Sequence, residues 1–259
     1  MPKFNANLTF LFQDADFLDR FERAARAGFK GVEYMGPYDY PAEQLAELLK
    51  AHGLEQVLFN LPPGDWGKGE RGVAILPDRV GEFQEGVGRA IDYGKALGCG
   101  LINCLAGLAP QGADPEVLRA TLVDNLRFAA KAFAKENIRL LLEPINTQDM
   151  PGFFVSRTLD ALAIFDEVGH DNLWLQYDIY HMQIMEGNLT RTIRDHLPRI
   201  AHMQLADNPD RHEPGTGEIH YPNLLRFIDE TGYDGWIGCE YKPAGDTAEG
   251  LGWAKPYMG

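Results

Sequence analysis

At 259 residues, the chain exceeds the ~150 usual for one domain but falls where α/β barrels run as a single unit. Its 45% hydrophobic and 24% charged residues fit a soluble globular protein able to bury a large core. Thirty-eight acidic against 24 basic residues give a formal charge of −14, a field that repels phosphate backbones and argues against nucleic acid as a partner.

The amino-terminal stretch MPKFNANLTFLFQDADF has acids from Asp14 onward and no apolar segment with a cleavage site. No later stretch reaches the ~18 uninterrupted apolar residues of a membrane span. Cys99, Cys104 and Cys239 are odd in number and lack metal-ligand or CxxC spacing, so neither a disulfide framework nor a zinc site is indicated and a cytoplasmic location fits. Oligomeric state is left open, a homo-oligomer included.

Along the chain, short apolar runs alternate with longer amphipathic segments, the pattern of βα units on a parallel sheet. Strands are expected at Phe4–Leu8, Gly31–Tyr34, Gln56–Asn60, Gly100–Cys104, Arg139–Glu143, Leu173–Asp178, His202–Ala206 and Trp236–Tyr241. Between them lie helical patterns such as PAEQLAELLKAHG and DPEVLRATLVDNLRFAAKAFAKEN, which open on Asp or Pro and stop at Gly or Asn. No linker-like composition divides the chain, so residues 1–259 read as one domain. Eight units, with no GxGxxG after the first strand, favour a closed (β/α)₈ TIM barrel over a doubly wound open sheet.

In such a barrel, chemistry sits where strands end and βα loops begin. Glu143, Asp178, Gln204 and Glu240 occupy those places on strands five to eight, about one ~30-residue βα unit apart. Alternation puts Leu141 with Glu143, Trp174 and Gln176 with Asp178, His202 with Gln204, and Trp236 and Gly238 with Glu240 on one face. The opposite parity is apolar (Leu140, Leu142; Leu173, Leu175; Ile237, Cys239), as a helix-packed face must be, so the polar set points inward. Three carboxylates and an amide converging in a partly buried mouth need a neutralising cation. The all-oxygen set suits Mg²⁺ or Mn²⁺. The bland alternative for each acid is a helix cap or an ordinary ion pair; four in register make it the weaker reading.

These residues, with YDIYH around Asp178, PGTGEI after strand seven, and the stretches FNANLTFLF, NLPPGDWGKGERG and GWIGCEYKP, resemble the xylose isomerase-like barrel superfamily over nearly the whole chain. Within it, the likeness is to hydroxypyruvate isomerases and 2-oxo-tetronate isomerases. The resemblance implies that Glu143, Asp178, Gln204 and Glu240 bind the metal and that Glu143 and Glu240 are the proton donor/acceptor pair. The implied activity isomerises hydroxypyruvate to tartronate semialdehyde through an enediolate. Relatives that epimerise ketohexoses usually carry His where this chain has Gln204, which argues against a plain ketose epimerase and supplies a weaker ligand. The other readings are a 2-oxo-tetronate isomerase, a keto-sugar 3-epimerase, a metal-dependent endonuclease disfavoured by the charge, and a barrel that only binds sugar acids.

Substrate contacts are expected at four further positions. The loop GDWGKGERG offers Lys68 and Arg71 as a mobile lid reaching a substrate carboxylate, with Arg71 ahead because guanidinium matches carboxylate bidentately; the competing reading is a solvated turn. His181, three residues past Asp178, could reach a substrate oxygen or be a simple loop histidine. Arg211, in the long loop NPDRHEPGTGEIHYP, could hold substrate or form a surface ion pair worth little. His202 reads as a satisfied interior group. Glu33, Asn7 and Asn60 end early strands and are unranked, and Phe10, Phe12 and Trp66 wall the pocket or pack loops.

Overall fold

The structure is a computed structural model and describes residues 1–257; the last two positions of the expected domain lie outside the described residues. Eight parallel strands, β1 (Lys3–Asn7), β2 (Gly31–Tyr34), β3 (Glu55–Asn60), β4 (Leu101–Cys104), β5 (Arg139–Leu142), β6 (Leu173–Asp178), β7 (Ile200–Leu205) and β8 (Trp236–Cys239), follow one another around a closed barrel. Closure is direct: β8 pairs with β1, Phe4 opposite Ile237 and Ala6 opposite Cys239. The expected (β/α)₈ barrel is the fold found.

Helices α1 (Arg20–Arg26), α2 (Ala42–His52), α3 (Val80–Leu97), α4 (Pro115–Ala134), α5 (Thr158–Val168), α6 (Ile179–Met185), α7 (Leu189–His196), α8 (Tyr221–Glu230) and α9 (Thr247–Gly250) complete the described chain. Their ends follow local chemistry. At the start of α4, the Asp114 carboxylate accepts from the Glu116 N–H and Pro115 fills the first turn. At the end of α3, Gly98 takes the left-handed conformation (φ 65°) that closes a helix without a Cβ penalty.

Strand alternation builds two cores. Outward residues, among them Ala6, Val32, Ile102, Leu140, Leu142, Leu173, Leu175, Ile237 and Cys239, join the helices in the main apolar core. Inside the barrel, Val57, Leu58, Leu141 and Ala201 pack with Leu101, Trp174 and Trp236 as a separate plug. Truncating a residue such as the fully buried Leu141 would cost on the order of 2–5 kcal/mol. Toward the carboxyl-terminal ends of the strands the lining turns polar: Asn5, Glu33, Gln176 and His202 are all buried. Polar side chains at this depth are tolerable only when bonded to one another, and they form the floor of the site.

Two boundaries differ from the sequence expectation in a useful way. Strand pairing stops at Leu142 and at Cys239, so Glu143 and Glu240 stand one residue beyond their strands, at the loop mouths. The loop after β3 is clasped to the loop after β4: Gly72 (φ 115°) lies so close that a Cβ there would come within 2.2 Å of the Leu105 carbonyl oxygen. That contact fixes the base of the expected lid.

Candidate active site

The inward parity of the strand ends gathers the site around a cavity of about 90 Å³ lined by Asn7, Phe10, Trp66, Glu143, Gln176, His181, Gln204, Arg211 and Glu240, among others. Glu143, Asp178, Gln204 and Glu240 are all buried.

Of the three acids, Glu240 is the most heavily bonded. Its Oε1 accepts from Arg211 Nη2 at 2.5 Å, and its Oε2 accepts from Asn7 Nδ2 at 2.8 Å and Gln204 Nε2 at 2.6 Å. Burial nevertheless pushes its pKa up to about 8; Arg211 pulls it down, while the charges of Asp178 and Glu33 add to the rise. Glu143 has a single donor, Asn103 Nδ2 at 3.1 Å. Its pKa lies well above the carboxylate range through burial first, then the charges of Glu240 and Asp178. Asp178 divides its oxygens. Oδ1 accepts from the Tyr180 N–H at 2.8 Å and caps α6, whereas the buried Oδ2 accepts no hydrogen bond among the described residues. Burial raises Asp178 to about 6.

Gln204 comes to the cluster as a donor. Its Nε2 serves both Glu240 and Glu33 Oε1 (2.8 Å), while its oxygen accepts from Gln176 Nε2 at 2.7 Å. In this arrangement the amide nitrogen, and not the ligating oxygen, faces the carboxylates. Two of the expected acids, Glu143 and Asp178, fit a hard divalent ion. Glu143, Asp178 and His181 offer ligand atoms within 4.8 Å of one another, and the unpartnered Asp178 Oδ2 is an anionic oxygen that a cation would satisfy.

Of the expected substrate contacts, the structure brings His181 and Arg211 to the cavity. Arg211 is buried between the rings of Phe10 and Tyr180, each 4.9 Å from its guanidinium carbon. Besides bonding Glu240, its Nη2 lies 3.6 Å from Asp178 Oδ2, and its buried Nε has no partner among the described residues. Arg211 is thus an internal cation and not a surface ion pair. Its loop is held by Asp207, whose carboxylate accepts from the backbone N–H groups of Asn208, Gly215, Gly217 and Ile219 at 2.8–3.0 Å.

Arg71 and Lys68 are placed otherwise. Arg71 stacks 3.7 Å above the Trp66 ring and donates to the Trp66 and Glu70 carbonyls. It therefore braces a wall residue and does not itself line the cavity. Lys68 is exposed and pairs with Asp65 at 3.0 Å.

Sequence reasoning left Glu33 unranked, yet it organises the floor. It accepts from Asn5, Asn7 and Gln204, and His202 Nε2 lies 2.7 Å from its Oε2. Burial alone would raise its pKa, but His202 and the amide donors outweigh that and hold it below the usual range. Room for this carboxylate depends on Gly238, where a Cβ would meet Glu33 Oε1 at 2.3 Å. A readable signal existed: an acid alternating with apolar Val32 and Tyr34 points the opposite way from the core.

A parallel closed barrel with carboxylates at its strand ends is the frame of the xylose isomerase-like TIM barrel family, whose profile matches residues 21–257, and the chain belongs to that family. Within it, the chain is 54% identical over 257 residues to a hydroxypyruvate isomerase of Escherichia coli, covering 99% of this chain and 100% of that one. It is 49% identical to a 2-oxo-tetronate isomerase of Cupriavidus necator, covering 100% of both. A solved structure described as AP endonuclease, family 2, from Brucella melitensis superposes with a TM-score of 0.97 at 46% identity over 99% of both chains. With such relatives the chain is an isomerase, hydroxypyruvate isomerase-like.

Proposed function

We propose that the protein interconverts hydroxypyruvate and tartronate semialdehyde (2-hydroxy-3-oxopropanoate) by moving a proton between C3 and C2. The observation that carries the reading is a pair of buried carboxyls, Glu143 and Glu240, with raised pKa values, in one small cavity with a buried arginine. A cavity of about 90 Å³ is the room of roughly three liquid waters at about 30 Å³ each, a scale that favours a small substrate. That suits a three-carbon keto acid of about seven non-hydrogen atoms.

The substrate carboxylate is taken by Arg211, whose partnerless Nε is a charge-assisted donor awaiting an anion. The ketone acidifies the C3 hydrogens, and removal of one leaves an enediolate. Glu240, with three donors on its two oxygens, is the glutamate better held as an anion and takes the C3 proton. Glu143, with one donor, carries its proton more readily and delivers it to C2. As the C3 hydroxyl becomes the aldehyde, its proton passes to the oxygen on C2, so atoms balance. Asp178, through its unpartnered Oδ2, and Glu143, once its proton is given up, would hold Mg²⁺ or Mn²⁺, whose charge would stabilise the enediolate oxygens. Phe10, Trp66 and Leu58 keep water from the intermediate.

Incubation with hydroxypyruvate and with a 2-oxo-tetronate, with and without Mg²⁺ or Mn²⁺, tests the proposal by proton NMR. Hydroxypyruvate should give the aldehyde at the higher kcat/KM. Turnover of the four-carbon acid alone would move the assignment to a 2-oxo-tetronate isomerase.

A further inference from the structure

His181 stands at the cavity with Nε2 3.4 Å from Asp178 Oδ2 and 3.9 Å from Glu143 Oε1. An imidazole among carboxylates can serve in two incompatible ways: a bare Nε2 ligates a cation, and a protonated Nε2 donates a hydrogen bond. The choice is made on the far side of the ring, by whatever faces Nδ1. There the partner is Asn146, whose Nδ2 is 2.7 Å away.

The orientation of that amide is fixed three times over. Its oxygen accepts from the backbone N–H groups of Gln148 (3.0 Å) and Asp149 (2.8 Å). Its nitrogen donates to Asp149 Oδ2 at 3.0 Å, and that oxygen also accepts from the Tyr180 hydroxyl at 2.8 Å. Flipping the amide would set its NH₂ against two N–H donors and its oxygen against a carboxylate, leaving three contacts repulsive. One N–H of Asn146 therefore points at His181 Nδ1, which must present its lone pair.

We propose that Asn146 is a positioning residue that locks His181 in the neutral Nε2–H tautomer, making it a hydrogen-bond donor to the C2 oxygen of the substrate and not a ligand of a cation. A cation at the site is held by carboxylate oxygens alone, and the imidazole adds an electrophile aimed at the oxygen that gains charge in the enediolate. The neutral state follows from the same contact, because a second proton on Nδ1 would collide with the Asn146 N–H. The catalytic half of this inference rests on the enediolate reading above; the tautomer does not.

The two halves can therefore be separated. In the full-length protein labelled with ¹⁵N, long-range proton–nitrogen NMR distinguishes protonated from bare ring nitrogens, and a His181→Asn variant identifies the His181 signals. At neutral pH, His181 should show a bare Nδ1 and a protonated Nε2, and should keep both when Mg²⁺ is added to saturation. A protonated Nδ1 with a bare Nε2, or loss of the Nε2 proton on adding Mg²⁺, overturns the proposal without any recourse to activity. Asn146→Asp should move a proton onto Nδ1. It should also lower kcat for hydroxypyruvate by about 10²- to 10³-fold, the loss associated with one oxyanion donor, with KM changing far less. A fall in KM affinity alone, with kcat kept, would make Asn146 a loop residue only. If the parent spectrum is as stated but hydroxypyruvate is not turned over, the proton-transfer reading fails while the tautomer stands.

Discussion

Glu143 and Glu240 carry the chemistry proposed here, so each should be replaceable by its isostere without loss of the fold. Glu143→Gln and Glu240→Gln are expected to keep the circular dichroism of the parent and to lower kcat by at least about 10²-fold, the lower end for loss of a general acid or base. Either variant folded and near normal in turnover would remove that residue from the mechanism. The carboxylate site is tested by a contrast between two arginines. Arg211→Lys keeps a charge beside Glu240 but loses the planar fork, and should lower kcat/KM for hydroxypyruvate by roughly tenfold or more, with a much smaller loss on dihydroxyacetone, which lacks the carboxylate. Arg71→Ala unseats Trp66, and should affect the two substrates alike. The inward-pointing polar residues at the ends of strands five to eight were legible because alternation is local. Arg211 was not separable from a surface charge, since its burial depends on a loop folding back between Phe10 and Tyr180. Asn146 was invisible for a similar reason: its partners are backbone N–H groups and a histidine 35 positions away.

At the scale of elements, the loop between β7 and α8 is the part on which the site most depends, because it delivers Arg211. It is nested on Asp207, whose two oxygens each accept from two backbone N–H groups. Asp207→Asn turns one of those oxygens into a donor facing two donors. This change should raise proteolytic cleavage within residues 208–219 and lower kcat/KM more than it lowers the melting temperature; unchanged cleavage and activity would mean that the loop is held by other contacts. The eight strands themselves were legible from apolar runs at βα spacing, and their ends were misjudged by one or two residues, as at Leu142 and Cys239. Pairing stops where the neighbouring strand stops, which no single segment encodes. The loop after β3 reads as a mobile lid from its glycines, yet one of them, Gly72, serves close backbone contact with Leu105 and Gly107 of the loop after β4.

For the whole molecule, the −14 charge makes a buried cluster of acids costly, and the cost should show in its pH dependence. Unfolded glutamates titrate near 4.3, whereas folded Glu240 is raised to about 8 and Glu143 is raised as well. Between these values the folded state binds more protons than the unfolded one, so stability falls as pH rises. His181, depressed in the fold, has the opposite sign, but only below about 6.5, where unfolded histidine takes up its proton. From pH 7 to 9 the glutamates set the trend, joined above about 8.5 by the buried thiols of Cys99, Cys104 and Cys239, whose raised pKa values act with the same sign. Without divalent ions the melting temperature should decline across that window, and Mg²⁺ or Mn²⁺ should restore it more at pH 9 than at pH 7, since an ion stabilises the ionised form. A flat profile with no ion effect would place the carboxylates in a less demanding setting than the geometry shows. Among the described residues no helix is long and apolar enough to cross a membrane.

The central claim is that a proton moves between two carbons by way of Glu143 and Glu240, and deuterium reports it directly. Hydroxypyruvate incubated with the parent protein in D₂O should yield tartronate semialdehyde deuterated at C2. Glu143→Gln should still exchange the C3 hydrogens through Glu240 while forming little product, and Glu240→Gln should do neither. Product bearing only protium at C2 would mean that hydrogen travels directly from carbon to carbon, and would contradict the roles assigned to both glutamates.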